Sequence, residues 1–157
     1  MKQKTGSFVK NVAIPLAVGI AAGLLTRGSM SEFEMVRQPL FAPPAWLFPV
    51  VWTILYILMG ISSWLIWNAD AEERKKEQVL TVYFYQLVVN FLWPFFFFSF
   101  QWYLFSLFWL CLLWGLVFVM IRIFSQISKT AAYLNIPYLI WLTIAAYLNF
   151  GVWWLNR

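Results

Sequence analysis

Gln86, Asn90, Trp93 and Phe97 recur at intervals of four, three and four residues, the spacing that stacks side chains on one face of a helix. Pro49, Trp52, Tyr56 and Ser63 make a comparable stripe. Trp141, Ala145 and Asn149 recur every fourth residue. All three stripes lie inside long apolar runs. Lipid offers an amide pair no hydrogen-bond partner, so Gln86 and Asn90 must face protein or a cavity. Spacing leaves two readings open. The stripes either pack helix on helix or line a cavity with indole walls, one or two amides and no charge. Such a cavity suits a flat, largely apolar ligand.

Composition removes most other chemistry. The 157 residues include no histidine and one cysteine, Cys111. That excludes a Cys/His zinc site, a disulfide within the chain, and any Ser–His or Cys–His nucleophile pair. The formal charge of +5 raises nucleic acid as a partner. The basic residues, however, sit at the ends of apolar runs and form no patch, so no nucleic acid is expected.

The elements that must position the stripes follow from hydropathy. Residues of hydrophobic type make up 63% of the chain and charged ones 11%, against about 25% charged in ordinary soluble domains. So few charges cannot cover the apolar surface of a soluble domain, whereas lipid removes the conflict. A membrane helix needs about 20 apolar residues. Five stretches qualify, at about 8–26, 45–68, 79–98, 103–121 and 132–154. The expected fold is an all-α integral membrane protein, a five-transmembrane-helix bundle forming one domain over 1–157. Glu32, Glu34, Asp70, Glu72, Glu73 and Glu77 all fall between the stretches. Pro15, Pro49, Pro94 and Pro137 fall within them and predict bends or helix starts, because neighbouring helices can re-satisfy the freed carbonyls. No internal repeat is visible, so the inverted-repeat architecture of many transporters is not supported.

Lys2, Lys4 and Lys10 precede the first run as in a signal peptide. The run is long and no small-x-small cleavage site follows, so it is read as a retained helix. Lys2, Lys4, Lys10, Arg74, Lys75, Lys76, Arg122 and Lys129 collect on one side of the membrane, and Arg27, Arg37 and Arg157 on the other. This asymmetry predicts a cytoplasmic N-terminus, with the first connection and the C-terminus outside. Trp64, Trp67, Trp102, Tyr103, Trp153 and Trp154 fit an aromatic belt at the two interfaces. Gly19 and Gly23 form a small-xxx-small pair that fits close packing with an unspecified helix. The segment 28–44 is expected to fold over the cavity as a lid, with Phe33, Val36 and Leu40 on an apolar side facing down. The competing reading lays it in the lipid interface.

The stretch from Gln38 to Trp67, QPLFAPPAWLFPVVWTILYILMGISSWLIW, resembles the second-helix signature of the TspO/MBR family, the tryptophan-rich sensory proteins. Pro39, Phe41, Pro43, Pro44, Trp46, Pro49, Val51, Trp52, Leu55, Tyr56, Met59 and Gly60 fit its pattern. Asn90, Trp93 and Pro94 resemble the family's N-x-x-W-P on helix three. Pro137, Tyr138 and Trp141, followed by Ala145, Leu148 and Asn149, resemble its fifth-helix motif. Three motifs in the right order cover essentially the whole chain.

The resemblance implies a five-helix bundle, commonly a homodimer, with a ligand pocket beneath the first connection. It implies binding of porphyrins such as protoporphyrin IX and of drug-like aromatic molecules, as ligands rather than obligatory cofactors, and points to a bacterial plasma membrane. Pocket residues carried over by motif are Pro43, Phe48, Trp52, Tyr56, Asn90, Trp93, Trp141 and Ala145, with Phe33 added from the lid. Three departures stand out. Glu32 and Phe33 replace the family's W-Y, Trp109 occupies the place of an acidic residue early in helix four, and Phe150 and Trp154 replace the residues of the sterol motif of animal members. The expected function is a receptor or sensor for tetrapyrroles, in stress or tetrapyrrole regulation. Two alternatives are light-dependent porphyrin degradation assisted by Trp52 and Trp141, and transport of porphyrin or lipid.

Overall fold

The computed structural model describes residues 2–157, with side chains at 7–29 and 33–157. Its helices are α1 (Lys2–Phe33), α2 (Leu47–Trp67), α3 (Glu73–Pro94), α4 (Tyr103–Phe124), a short α5 (Lys129–Tyr133) and α6 (Ile136–Leu155). No strand occurs among the described residues. Five spans are long and apolar enough to cross a membrane: Ser7–Ser29, Leu47–Trp67, Glu73–Ser99, Tyr103–Phe124 and Lys129–Leu155. Two of the prolines mark helix starts, Pro49 in the first turn of α2 and Pro137 in that of α6. Both are positions where a missing N–H costs little.

Helix α1 is peripheral and packs mainly on α2. Gly60 makes this possible. A Cβ there would stand 2.5 Å from the Val12 Cα and 2.8 Å from the Asn11 carbonyl, so the two backbones touch. Gly19 lies against the Tyr56 ring, while a Cβ at Gly23 would meet nothing within 4 Å. The small-residue pair therefore splits, with Gly19 meeting α2 and Gly23 facing away. Helix α4 packs on α3 and α6 around Leu110, Leu113, Val117, Met120 and Leu142, all essentially without exposure. At the α5–α6 break, Asn135 donates to the Ser62 Oγ at 2.6 Å and to the Ala131 carbonyl at 2.9 Å. This buried amide ties the break to α2.

Four boundaries differ from expectation. Helix α1 continues past residue 26 to Phe33, so the first connection shortens to 34–46. Its last turns contain no proline to stop them. Helix α3 starts at Glu73 rather than 79, because its first turns carry charge but helix-favouring residues. Helix α4 continues past 121 to Phe124, and the last span begins at Lys129 with the separate turn of α5. Beyond Pro94, α3 widens into a π-helical turn, Phe95–Ser99. There the Phe100 amide donates to the Phe95 carbonyl at 2.9 Å, and the hairpin to α4 closes directly after it.

Candidate ligand-binding site

A polar network crosses the bundle centre. The Tyr56 hydroxyl donates to the Asn90 Oδ1 at 3.0 Å. The Asn90 amide nitrogen donates to the Tyr138 hydroxyl at 2.6 Å, and that hydroxyl donates to the Gln86 Oε1 at 2.9 Å. The Gln86 amide nitrogen lies 4.0 Å from the Met59 sulfur, a weak acceptor. All four polar side chains are buried. Two amides and two hydroxyls thus satisfy one another where lipid could not, and they join α2, α3 and α6.

Aromatic rings stand on this floor. The Trp52 ring stacks on Tyr56, with centroids 5.6 Å apart and planes 29° apart, and meets Tyr138 edge-on at 6.1 Å. Phe48 packs edge-on against Trp141 at 5.6 Å. Ala145, buried one turn along α6, adds a small wall. The indole nitrogen of Trp141 is buried and has no hydrogen-bond partner. Phe48 and Trp52 are half-buried, while Tyr56, Trp141 and Ala145 are buried. Nothing in the site carries charge. Among the described residues, no cluster of His, Cys, Asp or Glu could hold a metal ion.

Phe48, Trp52, Tyr56, Asn90, Trp141 and Ala145 therefore gather around one centre. Trp93 and Phe33 gather around another. The Trp93 ring stacks on Phe97 at 5.1 Å, and Phe33 packs on Phe97 and Phe98, each at 5.1 Å. The Trp93 indole donates to the Asn149 Oδ1 at 3.2 Å, which also accepts from Ser106 at 3.0 Å. Pro43 is half-buried in the connection entering α2. Tyr138 was absent from the expected site. Its spacing of three residues from Trp141 on an apolar helix was the available signal. Trp109 donates to the Val89 carbonyl at 2.8 Å, a helix-to-helix bond from the position where the family pattern has an acid.

The first connection is strapped to α6. The Asn156 side chain accepts from the Arg37 amide at 3.1 Å and donates to the Arg37 carbonyl at 3.0 Å. Tyr147 donates to the Leu40 carbonyl at 2.7 Å. Pro39 is buried against Gly151, where a Cβ would stand 2.5 Å from the proline ring. The expected downward-facing apolar side is corrected in part. Phe33 and Val36 pack on the core, but the Leu40 side chain is 79% exposed. Tyr147 holds its carbonyl inward and turns the side chain out. Phe41, at φ 66°, is 91% exposed.

Five membrane-length helices around an uncharged aromatic site define a multi-pass integral membrane protein. The TspO/MBR family model matches residues 11–155. The chain is 34% identical over 146 residues to tryptophan-rich protein TspO of Chlorobaculum tepidum, covering 92% of each. It is 36% identical over 150 residues to the protein of that name from Archaeoglobus fulgidus, covering 95% of this chain and 96% of the other. It is 32% identical over 146 residues to the translocator protein of Bos taurus, covering 92% and 86%. The chain belongs to the TspO/MBR family.

Proposed function

We propose that the protein is a membrane receptor or sensor for tetrapyrroles, such as protoporphyrin IX, and for other flat apolar ligands. The observation that carries this reading is the buried Trp141 N–H without an acceptor, beside rings of Phe48 and Trp52 on a hydrogen-bonded polar floor. A buried donor left unpaired costs about 1–3 kcal/mol. A ligand sliding between the rings with an acceptor toward Trp141 recovers that cost and gains stacking area. The names of the relatives, tryptophan-rich sensory protein and translocator protein, agree with a binding role in a membrane. The lysine and arginine asymmetry supports a cytoplasmic N-terminus, and the family resemblance supports a bacterial plasma membrane and a homodimer. Titration with protoporphyrin IX, followed by tryptophan fluorescence, tests the site. A Trp52→Ala, Trp141→Ala double variant loses affinity if the site is right, and unchanged affinity removes it.

A second reading is light-dependent porphyrin degradation, favoured by the Trp52–Tyr56 stack. Indoles and phenols are the electron donors that an excited porphyrin lying against them would oxidise. Bleaching of the Soret band under light, compared with a Trp52→Phe, Trp141→Phe variant, separates the readings. Equal bleaching disposes of the second. Ion-coupled transport has no visible carrier, because the site holds no charged side chain.

A further inference from the structure

Away from the aromatic site, a shallow cleft of about 500 Å³ opens between the start of α4 and the end of α6. Its walls include Trp102, Tyr103, Leu104, Phe105, Phe108 and Trp153, none of them part of the site above. No carboxylate lines it. It lies beside the α3–α4 hairpin and near the C-terminal end of α6, where the membrane spans end. The solvent facing an apolar cleft at that depth is a lipid chain reaching toward its headgroup.

The rim is basic. The Arg157 guanidinium lies 5.7 Å from the centroid of Trp153, a cleft wall, and 3.5 Å from that of Trp154. Stacking on indole occupies the face of a guanidinium and leaves its edge N–H groups free for an oxyanion. The Asn156 clasp on the Arg37 backbone brings a second guanidinium-bearing residue next to Arg157. Both arginines are exposed and neither forms a salt bridge among the described residues.

We propose that this cleft binds an anionic phospholipid, with an acyl chain against Phe105, Phe108 and Trp153 and the phosphate on Arg157 and Arg37. Acyl-chain burial provides affinity, and the arginines provide the headgroup preference. The proposal is independent of what occupies the aromatic site.

Delipidated protein in detergent, titrated with phosphatidylglycerol or phosphatidylcholine of identical chains, tests it by native mass spectrometry. Wild type binds phosphatidylglycerol more tightly, by about fivefold for each arginine. An Arg37→Gln, Arg157→Gln variant binds the two lipids equally, losing more affinity for phosphatidylglycerol than for phosphatidylcholine, whose choline cation already offsets the phosphate. Leu104→Trp, which fills the cleft, weakens both. Excess glycerol 3-phosphate, a headgroup without chains, fails to displace the lipid. Equal binding of the two lipids by wild type overturns the proposal. So does a preference that survives the double substitution, or displacement by glycerol 3-phosphate with no effect of Leu104→Trp. The double variant changes exposed side chains only, so its result stands even if Leu104→Trp does not fold.

Discussion

The Asn90 amide nitrogen stands 2.6 Å from the Tyr138 hydroxyl, and through this contact α3 holds α6 at the depth of the aromatic site. Because Asn90 also accepts from Tyr56, one side chain positions both helices whose rings form the site, α2 and α6. Asn90→Leu breaks both bonds and strands the buried Tyr56 hydroxyl, while Tyr138 keeps its bond to Gln86. Hydrogen bonds inside membrane proteins average about 0.6 kcal/mol and reach about 1.7, so the expected loss is about 1–3 kcal/mol. Thermal unfolding in detergent measures it. A midpoint equal to that of wild type would show that the network does not hold the helices.

Trp141→Phe separates binding from stability. The substitution keeps an aromatic ring beside Phe48 and removes a buried donor that has no partner. Stability should stay level or rise slightly. Affinity for protoporphyrin IX should fall by about tenfold, the worth of one hydrogen bond to a buried donor. An affinity drop that merely follows a loss of stability would mean the N–H has no ligand to meet.

Three glycines of α1 and α2 should rank by what surrounds them. Gly60→Ala drives a methyl into the α1 backbone, which cannot swing aside, at a cost of about 1–3 kcal/mol. Gly19→Ala displaces the Tyr56 ring, and with it the ring on which Trp52 stacks, so ligand affinity falls as well as stability. Gly23→Ala meets open space and gains helix propensity, so it is neutral or stabilising. Thermal midpoints of the three variants check the order, and a Gly23→Ala loss matching that of Gly60→Ala would contradict it.

The strap predicts a kinetic effect. Asn156→Ala with Tyr147→Phe removes its hydrogen bonds to α6 and leaves the aromatic rings untouched. Ligand dissociation should accelerate more than association slows, as expected when a lid sets the off-rate. Leu40→Ala should change neither rate, since that side chain points outward. Stopped-flow rates within about twofold of wild type for the double variant would mean the connection does not gate the site.

Much of this was legible in the sequence because lipid simplifies the rules. Apolar length revealed the five spans, and an amide inside an apolar run had to find protein. Spacing therefore placed Gln86 and Asn90 on an inward face, and the family resemblance grouped Trp52, Trp141 and Ala145 with Asn90. Of the two open readings, the structure carries helix-on-helix packing, with the polar side chains of the stripes bonded across α2, α3 and α6. Periodicity does not report partners. It put Trp93 on the same face as Asn90, yet the step along the helix carries its indole to Asn149 and its ring to Phe97. The strap was opaque for a related reason. Asn156 lies beyond the apolar run, and only the fold brings it to Arg37. The outward turn of Leu40 depends on a hydroxyl 107 residues away in the chain.

The π-helical turn at Phe95–Ser99 has a consequence for how the chain tolerates changes in length. Each residue of a regular helix turns the chain by roughly 100°, so a deletion within Glu73–Trp93 would rotate every later ring out of register. The widened turn already holds one residue more than an α-turn needs. A single deletion there could be absorbed by tightening to α geometry, at the expense of one phenylalanine around Phe33. That short stretch is where the third span can lose a residue without misaligning the fourth.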